Sequence, residues 1–304
     1  MTHRSAAAAF ASGDLSADRR LEWALASARA GDQEAVADLA AQALEIAPDF
    51  AAAWFTLGEA QAALGRAEAA QSFARALALR PDDPFGAGAR AARLTGETPH
   101  ALAPAYVRAL FDDYAGRFDI HLTGALAYRG PALLRDAVLA RGPRRFARAL
   151  DLGCGTGLSG AAFRDLCARI EGCDLSPAMI AQARAKGCYD ALEADHLLAF
   201  LTRREAESCD LVLAADVFVY LGDLGPVFSA CARVMAQGGV FAFTTQAIAA
   251  GTWRLLDDLR FGHGREWLAA ALKDVGFSAR VEDASTRRDR GADVPGFLVV
   301  ATRA

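Results

Sequence analysis

Two textures divide the chain. Over about the first hundred residues the apolar positions, mostly Ala and Leu, recur at the three- and four-residue spacing of amphipathic helices, and nothing alternates as a strand would. From Arg148 the pattern changes to short apolar runs bounded by Gly and Asp. Strands are predicted at 149–152, 170–175, 190–193, 211–214 and 240–244, with helices at 158–168, 177–186 and 223–236 between them. Such alternation predicts an α/β fold, a parallel sheet covered by helices on both faces. The end breaks the rhythm: 279–285 and 296–302 read as strands joined only by a polar turn, Arg287-Arg-Asp-Arg-Gly291. A link that short excludes a helical crossover and predicts an antiparallel pair. Between the two textures lie a linker, Leu94-Thr-Gly-Glu-Thr-Pro-His100, an aromatic-dense helical stretch at 104–119 and a further helix at 131–140. The expected domains are therefore 1–97, all helical, and 98–304, α/β.

The helical part repeats. Ala43-Leu44 and Pro48 return as Ala76-Leu77 and Pro81, and Gly31 as Gly65; the second copy opens with Trp54, Leu57 and Gly58. This resembles the tetratricopeptide repeat, a helix–turn–helix unit of about 34 residues. The small residues have physical reasons: Gly58 and Ala76 let paired helices approach, Gly65 turns the chain, and the prolines stop each second helix. About two repeats plus a capping helix near 84–94 are expected, the first copy being degenerate, with Arg20 at the tryptophan position.

The chemistry centres on Arg148-Ala-Leu-Asp-Leu-Gly-Cys-Gly-Thr-Gly-Leu-Ser-Gly160, where a strand runs through glycines into a helix. Two glycine frames overlap: Gly153, Gly155 and Gly157, and a G-x-G-x-x-G from Gly155 to Gly160 that fits a dinucleotide fingerprint. Either cofactor would also use Asp174, about 20 residues on, to hold a ribose. Three features separate them. Asp151 stands just before the first glycine, where a carboxylate repels a pyrophosphate and welcomes an α-ammonium. The cluster Glu193-Ala194-Asp195-His196 suits an adenine amino group. The antiparallel C-terminal pair is the third. All three point to S-adenosylmethionine, and the second glycine frame then reads as accidental.

With Asp151-Leu-Gly-Cys-Gly-Thr-Gly157, Asp174-Leu-Ser-Pro-Ala-Met-Ile180, Glu193-Ala-Asp195 and Asp210-Leu-Val-Leu-Ala-Ala-Asp-Val-Phe-Val-Tyr-Leu221 in order, the chain from about Tyr106 onward resembles the class I S-adenosylmethionine-dependent methyltransferases of small-molecule type. The resemblance implies a Rossmann-like fold, a mostly parallel seven-stranded sheet with an antiparallel C-terminal strand. It implies that Asp151, Gly153, Cys154, Gly155 and Gly157 hold the methionine part, that Asp174 takes the ribose, and that Leu175, Ala194, Asp195 and His196 surround the adenine. Ala215 would line the sulfonium side, and Phe118, Tyr128 and Arg129 would lie on helices covering the cofactor. For the acceptor, His263, Asp216 and Tyr220 are the catalytic candidates, with Arg260, His263 and Tyr114 as substrate contacts. Methyl transfer is an in-line displacement governed by positioning, with no metal required, and a base helps only when the acceptor must lose a proton.

Composition narrows the partners. The chain has 304 residues, 53% of them hydrophobic, and a formal charge of −4, without the clustered cations of a nucleic-acid binder. The six cysteines form no C-x-x-C pair and read as buried thiols of a reducing cytoplasm. Ala6-Ala-Ala-Ala-Phe-Ala11 is too short for a signal segment, and no apolar run reaches the roughly 20 residues of a membrane span. The leading expectation is a cytoplasmic enzyme methylating a small-molecule or carrier-borne acceptor, its repeats available for self-association or a protein partner. A protein methyltransferase whose repeats recruit its substrate ranks second, ahead of a non-catalytic adapter and a dinucleotide-dependent oxidoreductase.

Overall fold

The structure, a computed structural model, describes residues 11–120, 127–142, 144–289 and 291–304. The chain divides into two compact units, Met1–Leu110 and Phe111–Ala304.

In the first unit, five helices follow one another: α1 Leu15–Ala30, α2 Gln33–Ile46, α3 Ala51–Ala63, α4 Ala69–Leu79 and α5 Ala87–Thr95, each packed against the next. Asp14 and Asp32 cap the first two by accepting backbone N–H bonds, and Gly31 ends α1 in the left-handed conformation, φ 81°. Gly58 lies so close to the Phe73 ring that a Cβ there would sit 2.8 Å from it, so the α3–α4 approach depends on that glycine. Trp54 donates its indole N–H to Pro48 O at 2.7 Å, tying the start of α3 to the turn before it. A further helix, α6 Pro104–Tyr114, contains the division between the units.

The second unit is built on one sheet. Its strands are β1 Phe146–Leu152, β2 Cys167–Asp174, β3 Ala191–Ala194, β4 Cys209–Ala214, β5 Met235–Ile248, β6 Trp253–Leu255, β7 Phe261–Gly264, β8 Phe277–Ala284 and β11 Gly296–Arg303; β9 Arg288–Asp289 and β10 Ala292–Asp293 form a separate small hairpin. The main path runs β3-β2-β1-β4-β5-β11-β8. The first five strands are parallel, and β11 is antiparallel to both β5 and β8. Alternation along each strand feeds two cores. Leu150, Leu152, Val212, Ala214, Phe241 and Phe243 face one side, against α11 Leu197–Thr202, α12 Gly225–Val234 and α13 Arg265–Asp274. Ala149, Leu211, Leu213, Val240 and Ala242 face the other, against α8 Gly130–Leu139 and α9 Leu158–Phe163. The remaining helices are α7, a single turn at Phe118–Ile120, and α10 Pro177–Lys186.

The mostly parallel sheet and its antiparallel end agree with the sequence reading; several boundaries differ. The helix expected to reach residue 168 stops at Phe163, passes through a 3-10 turn and gives way to β2 at Cys167, because pairing with Phe146 claims that residue for the sheet. The stretch after β5, for which the sequence reading predicts no element, holds β6, β7 and α13. β7 lies parallel to β5 through Gln246↔Gly262 and Ala247↔His263, on the edge that β4 occupies lower down. Past Ala214 the sheet thus opens like a fork between β4 and β7.

Candidate functional site

The carboxyl ends of β1–β4 and the loops after them form the site, where open parallel sheets bind ligands. Gly153, Gly155 and Gly157 have φ of 62°, 53° and 91°, which only glycine adopts without strain. A Cβ at Gly153 would strike Val217 at 2.5 Å, whereas one at Gly155 would meet nothing within 4 Å, so the loop is open above Gly155. Asp151, just before the loop, is 1% exposed. Its Oδ2 accepts a bond from the Tyr189 hydroxyl at 2.5 Å, while Oδ1 is buried without a partner. Burial drives its carboxyl up to about 7, Tyr189 opposing and Asp174 adding to the rise.

Asp174 closes β2 and braces the same loop. Its Oδ2 accepts from Gly155 N and its Oδ1 from Ser176 N, both at 2.9 Å, which leaves a lone pair on each oxygen. Burial lifts it to about 6 against those two bonds. Leu175 beside it is half-buried. Cys154 is buried, its thiol pushed far up by desolvation, and its N–H bonds Cys173 O at 2.9 Å; it serves the loop as backbone. At the end of β3, Asp195 N bonds Asp174 O at 2.9 Å, which sets Ala194, Asp195 and His196 beside Asp174. Arg203 holds the Asp195 carboxyl below its usual range. His196 caps α11, its Nδ1 accepting Leu198 N, and burial lowers its pKa.

A second group gathers across the fork. Asp216, following Ala215 at the end of β4, has φ 56° and a fully engaged carboxylate. It accepts from the hydroxyls of Thr244 and Thr286 at 3.1 and 3.0 Å and pairs with Arg287 at 3.0 Å, a guanidinium only 5% exposed. Arg260 hydrogen-bonds Tyr220, and its nearest carboxylate is Asp258 at 3.9 Å. Phe111 stands edge-on to Tyr220 at 5.5 Å and to Phe118 at 6.0 Å, and Tyr114 contacts Phe118 at 5.2 Å. Burial raises the phenols of Tyr114, Tyr128 and Tyr220, that of Tyr128 furthest, with Asp216 and Asp151 adding to it. Segment 111–120 is also bonded to the glycine loop and to α10: Asp119 accepts from Thr156 at 2.5 Å and from Lys186 at 2.6 Å, and Asp112 accepts from Ser176, the α10 cap, at 2.5 Å.

Two expected site residues stand apart. His263 is fully buried in β7; Nε2 faces the carbonyls of Leu221 and Gly222, both at 3.0 Å, and Nδ1 meets the Thr245 hydroxyl. Carbonyls only accept, so Nε2 carries the proton, and desolvation lowers the ring's pKa to about 4. A saturated, neutral imidazole stacked on Trp267 has no free nitrogen for a substrate, which corrects its catalytic and substrate assignments. Arg129 is exposed, and its guanidinium donates to the carbonyl of Ser285 at 3.4 Å. Conversely, sequence reasoning missed Tyr189, Arg287, Thr244 and the Asp119–Lys186 pair, whose partners lie far along the chain and leave no local motif.

Comparison with known proteins bears on this geometry. Residues 150–243 match the family model of a methyltransferase domain. The match covers the glycine loop, Asp174, the end of β3 and Asp216. Among curated proteins, a malonyl-[acyl-carrier protein] O-methyltransferase of Enterobacter lignolyticus is 35% identical over 150 residues, 46% of this chain and 59% of that protein. A ubiquinone biosynthesis O-methyltransferase of Xanthomonas oryzae pv. oryzae is 31% identical over 113 residues, 36% of this chain and 47% of that protein. The chain thus spans about half the length of the curated relatives it matches. The structure of a magnesium protoporphyrin IX methyltransferase from Synechocystis with bound SAH shares the fold at TM-score 0.51 and 17% identity, covering 66% of this chain and 99% of that one. The donor set on these loops fits S-adenosylmethionine: an orphaned buried carboxylate oxygen that an ammonium could meet, an open glycine loop, and a second carboxylate with lone pairs to spare for ribose hydroxyls.

Proposed function

We propose that the chain transfers a methyl group from S-adenosylmethionine to an oxygen nucleophile on a small-molecule or carrier-bound acceptor, by in-line displacement. The observation that carries this reading is Asp151 Oδ1, buried and unpartnered beside a glycine loop with open space above it. A pyrophosphate would meet repulsion there; an α-ammonium would supply the missing partner.

In this reading the backbone of Gly153, Gly155 and Gly157 and the Asp151 carboxylate orient the amino-acid end of the donor. Asp174 holds the ribose, Leu175 packs on the adenine, and Asp195 with the flanking backbone at Ala194 and His196 receives the adenine amino group. The bound sulfonium supplies an activated methyl, so this chain's residues need chiefly to align the acceptor and exclude water. Phe118, Tyr114, Tyr220 and Arg260 form the acceptor side, next to Ala215. The lightly paired Arg260 suits an anionic acceptor, consistent with an O-methyltransferase of malonyl-[acyl-carrier protein] among the relatives. Asp216, held by Arg287 and two threonines, orients rather than removes a proton.

The helical domain, 1–97, is proposed as a tetratricopeptide-like pair of repeats open to self-association or a protein partner, supported by the Gly58–Phe73 approach and the Trp54–Pro48 bond. The catalytic domain in this reading is 98–304. A cytoplasmic setting belongs to the same proposal, supported by six buried free cysteines. Calorimetry tests the core of it: S-adenosylmethionine and S-adenosylhomocysteine bind and NAD does not. Absence of binding by both sulfur ligands sinks the reading.

A further inference from the structure

A glycine pattern that motif reading leaves unexplained has a filler. Cβ atoms placed at Gly157, Gly160 and Gly172 would meet the Tyr189 ring at 3.0, 2.3 and 2.9 Å. The three glycines, from the loop, the start of α9 and strand β2, form a slot that admits one aromatic ring and little else. Within it the Tyr189 hydroxyl receives Gly160 N–H at 3.0 Å and donates to Asp151 Oδ2 at 2.5 Å. Gly160 therefore has a reason to be glycine that involves no pyrophosphate.

We propose that Tyr189 is a positioning residue for the methyl donor: held in the glycine slot, its hydroxyl pins one oxygen of Asp151 so that the other is presented to the ligand's ammonium. The inference rests on the functional reading above and adds a residue to it. A phenol has one proton to give, so only Oδ2 is satisfied and Oδ1 keeps its full demand for a donor. The titratable groups facing Asp151 are Tyr189 and Cys188 before β3, Asp174 and Cys173 on β2, Cys154 in the loop and Tyr128 before α8. All are acids, so among the described residues no cation competes for Oδ1. Binding is consequently linked to pH: the free site holds Asp151 half-protonated near 7, and the ammonium requires it ionised.

The test is calorimetric titration of the full chain with S-adenosylmethionine between pH 6 and 8.5. In the native protein affinity rises with pH through about 7 and falls again where the ligand's α-ammonium loses its proton, at about 8. Tyr189→Phe keeps the ring in its slot and removes the donor, so the midpoint moves up and affinity at pH 7 falls roughly tenfold. A melting temperature lowered with the midpoint unmoved, or Tyr189→Phe binding as the native protein does, overturns the proposal. Failure of the native protein to bind the ligand at any pH overturns the functional reading itself, a distinct result.

Discussion

Replacing Asp151 with Asn should make the ligand-free protein more stable while abolishing donor binding, and the gain should depend on pH. An aspartate that titrates near 3.8 in the unfolded chain and at about 7 in the fold costs the folded state about 4 kcal/mol once fully ionised. The sign follows from proton counting: between those two values the folded protein holds more protons than the unfolded one, so stability falls as pH rises and levels off above about 7. At 1% exposure, solvent screens little of this. The substituted asparagine would keep an oxygen for the Tyr189 hydroxyl, but its amide protons would replace the orphaned oxygen with an orphaned donor, returning about 2 kcal/mol of the gain. The net expectation is about 2 kcal/mol in favour of Asp151→Asn at pH 8, or roughly 4–8 °C in melting temperature for a unit of this size, and almost no difference at pH 5. Scanning calorimetry of both proteins at the two pH values, without ligand, measures the gap. A variant less stable than the native protein at pH 8, or a gap that ignores pH, refutes the argument that Asp151 is a strained acid awaiting a cation.

Further outcomes follow from individual contacts. Arg287→Ala strands the Asp216 carboxylate on two threonine hydroxyls and should cost about 3 kcal/mol, read as a lowered urea midpoint; adding Asp216→Leu should recover part of it. Gly160→Ala forces a methyl to 2.3 Å from Tyr189, so melting should fall by the equivalent of about 2 kcal/mol and donor affinity should weaken with it. The His263 ring should stay neutral until about pH 4 in a nitrogen-15 titration. Because folding depresses that pKa below its ordinary 6.5, the ring's share of stability is intact above 6.5 and drains away as pH falls toward 4; a ring titrating near 6.5 would contradict its burial.

Where a residue's role depended on neighbours close in sequence, the sequence carried it. Asp151 does stand buried against the glycine loop, and the mostly parallel sheet with its antiparallel end follows from the apolar runs and the short link at 287–291. Illegible were roles set by tertiary approach. Tyr189 reaches Asp151 across 38 residues and Arg287 reaches Asp216 across 71, and neither spacing means anything before the sheet brings them together. His263 misled for the same reason: a histidine between glycines after β5 resembles a substrate loop, and only the pairing of β7 with β5 turns it inward. The helix expected past Phe163 yielded to strand pairing, where register outweighs local propensity.

The fork in the sheet has a consequence for what holds its two sides together. The glycine loop and its neighbours hang on β1, β2 and β3, while the β6–β7 hairpin is attached to β5 by a three-residue pairing and joined to the segment after β4 by the His263 imidazole, between Thr245 and the 221–222 carbonyls, and by the Arg260–Tyr220 bond. The histidine read at first as chemistry thus marks a joint, and a change there is expected to loosen the β6–β7 hairpin before the strands that carry the glycine loop.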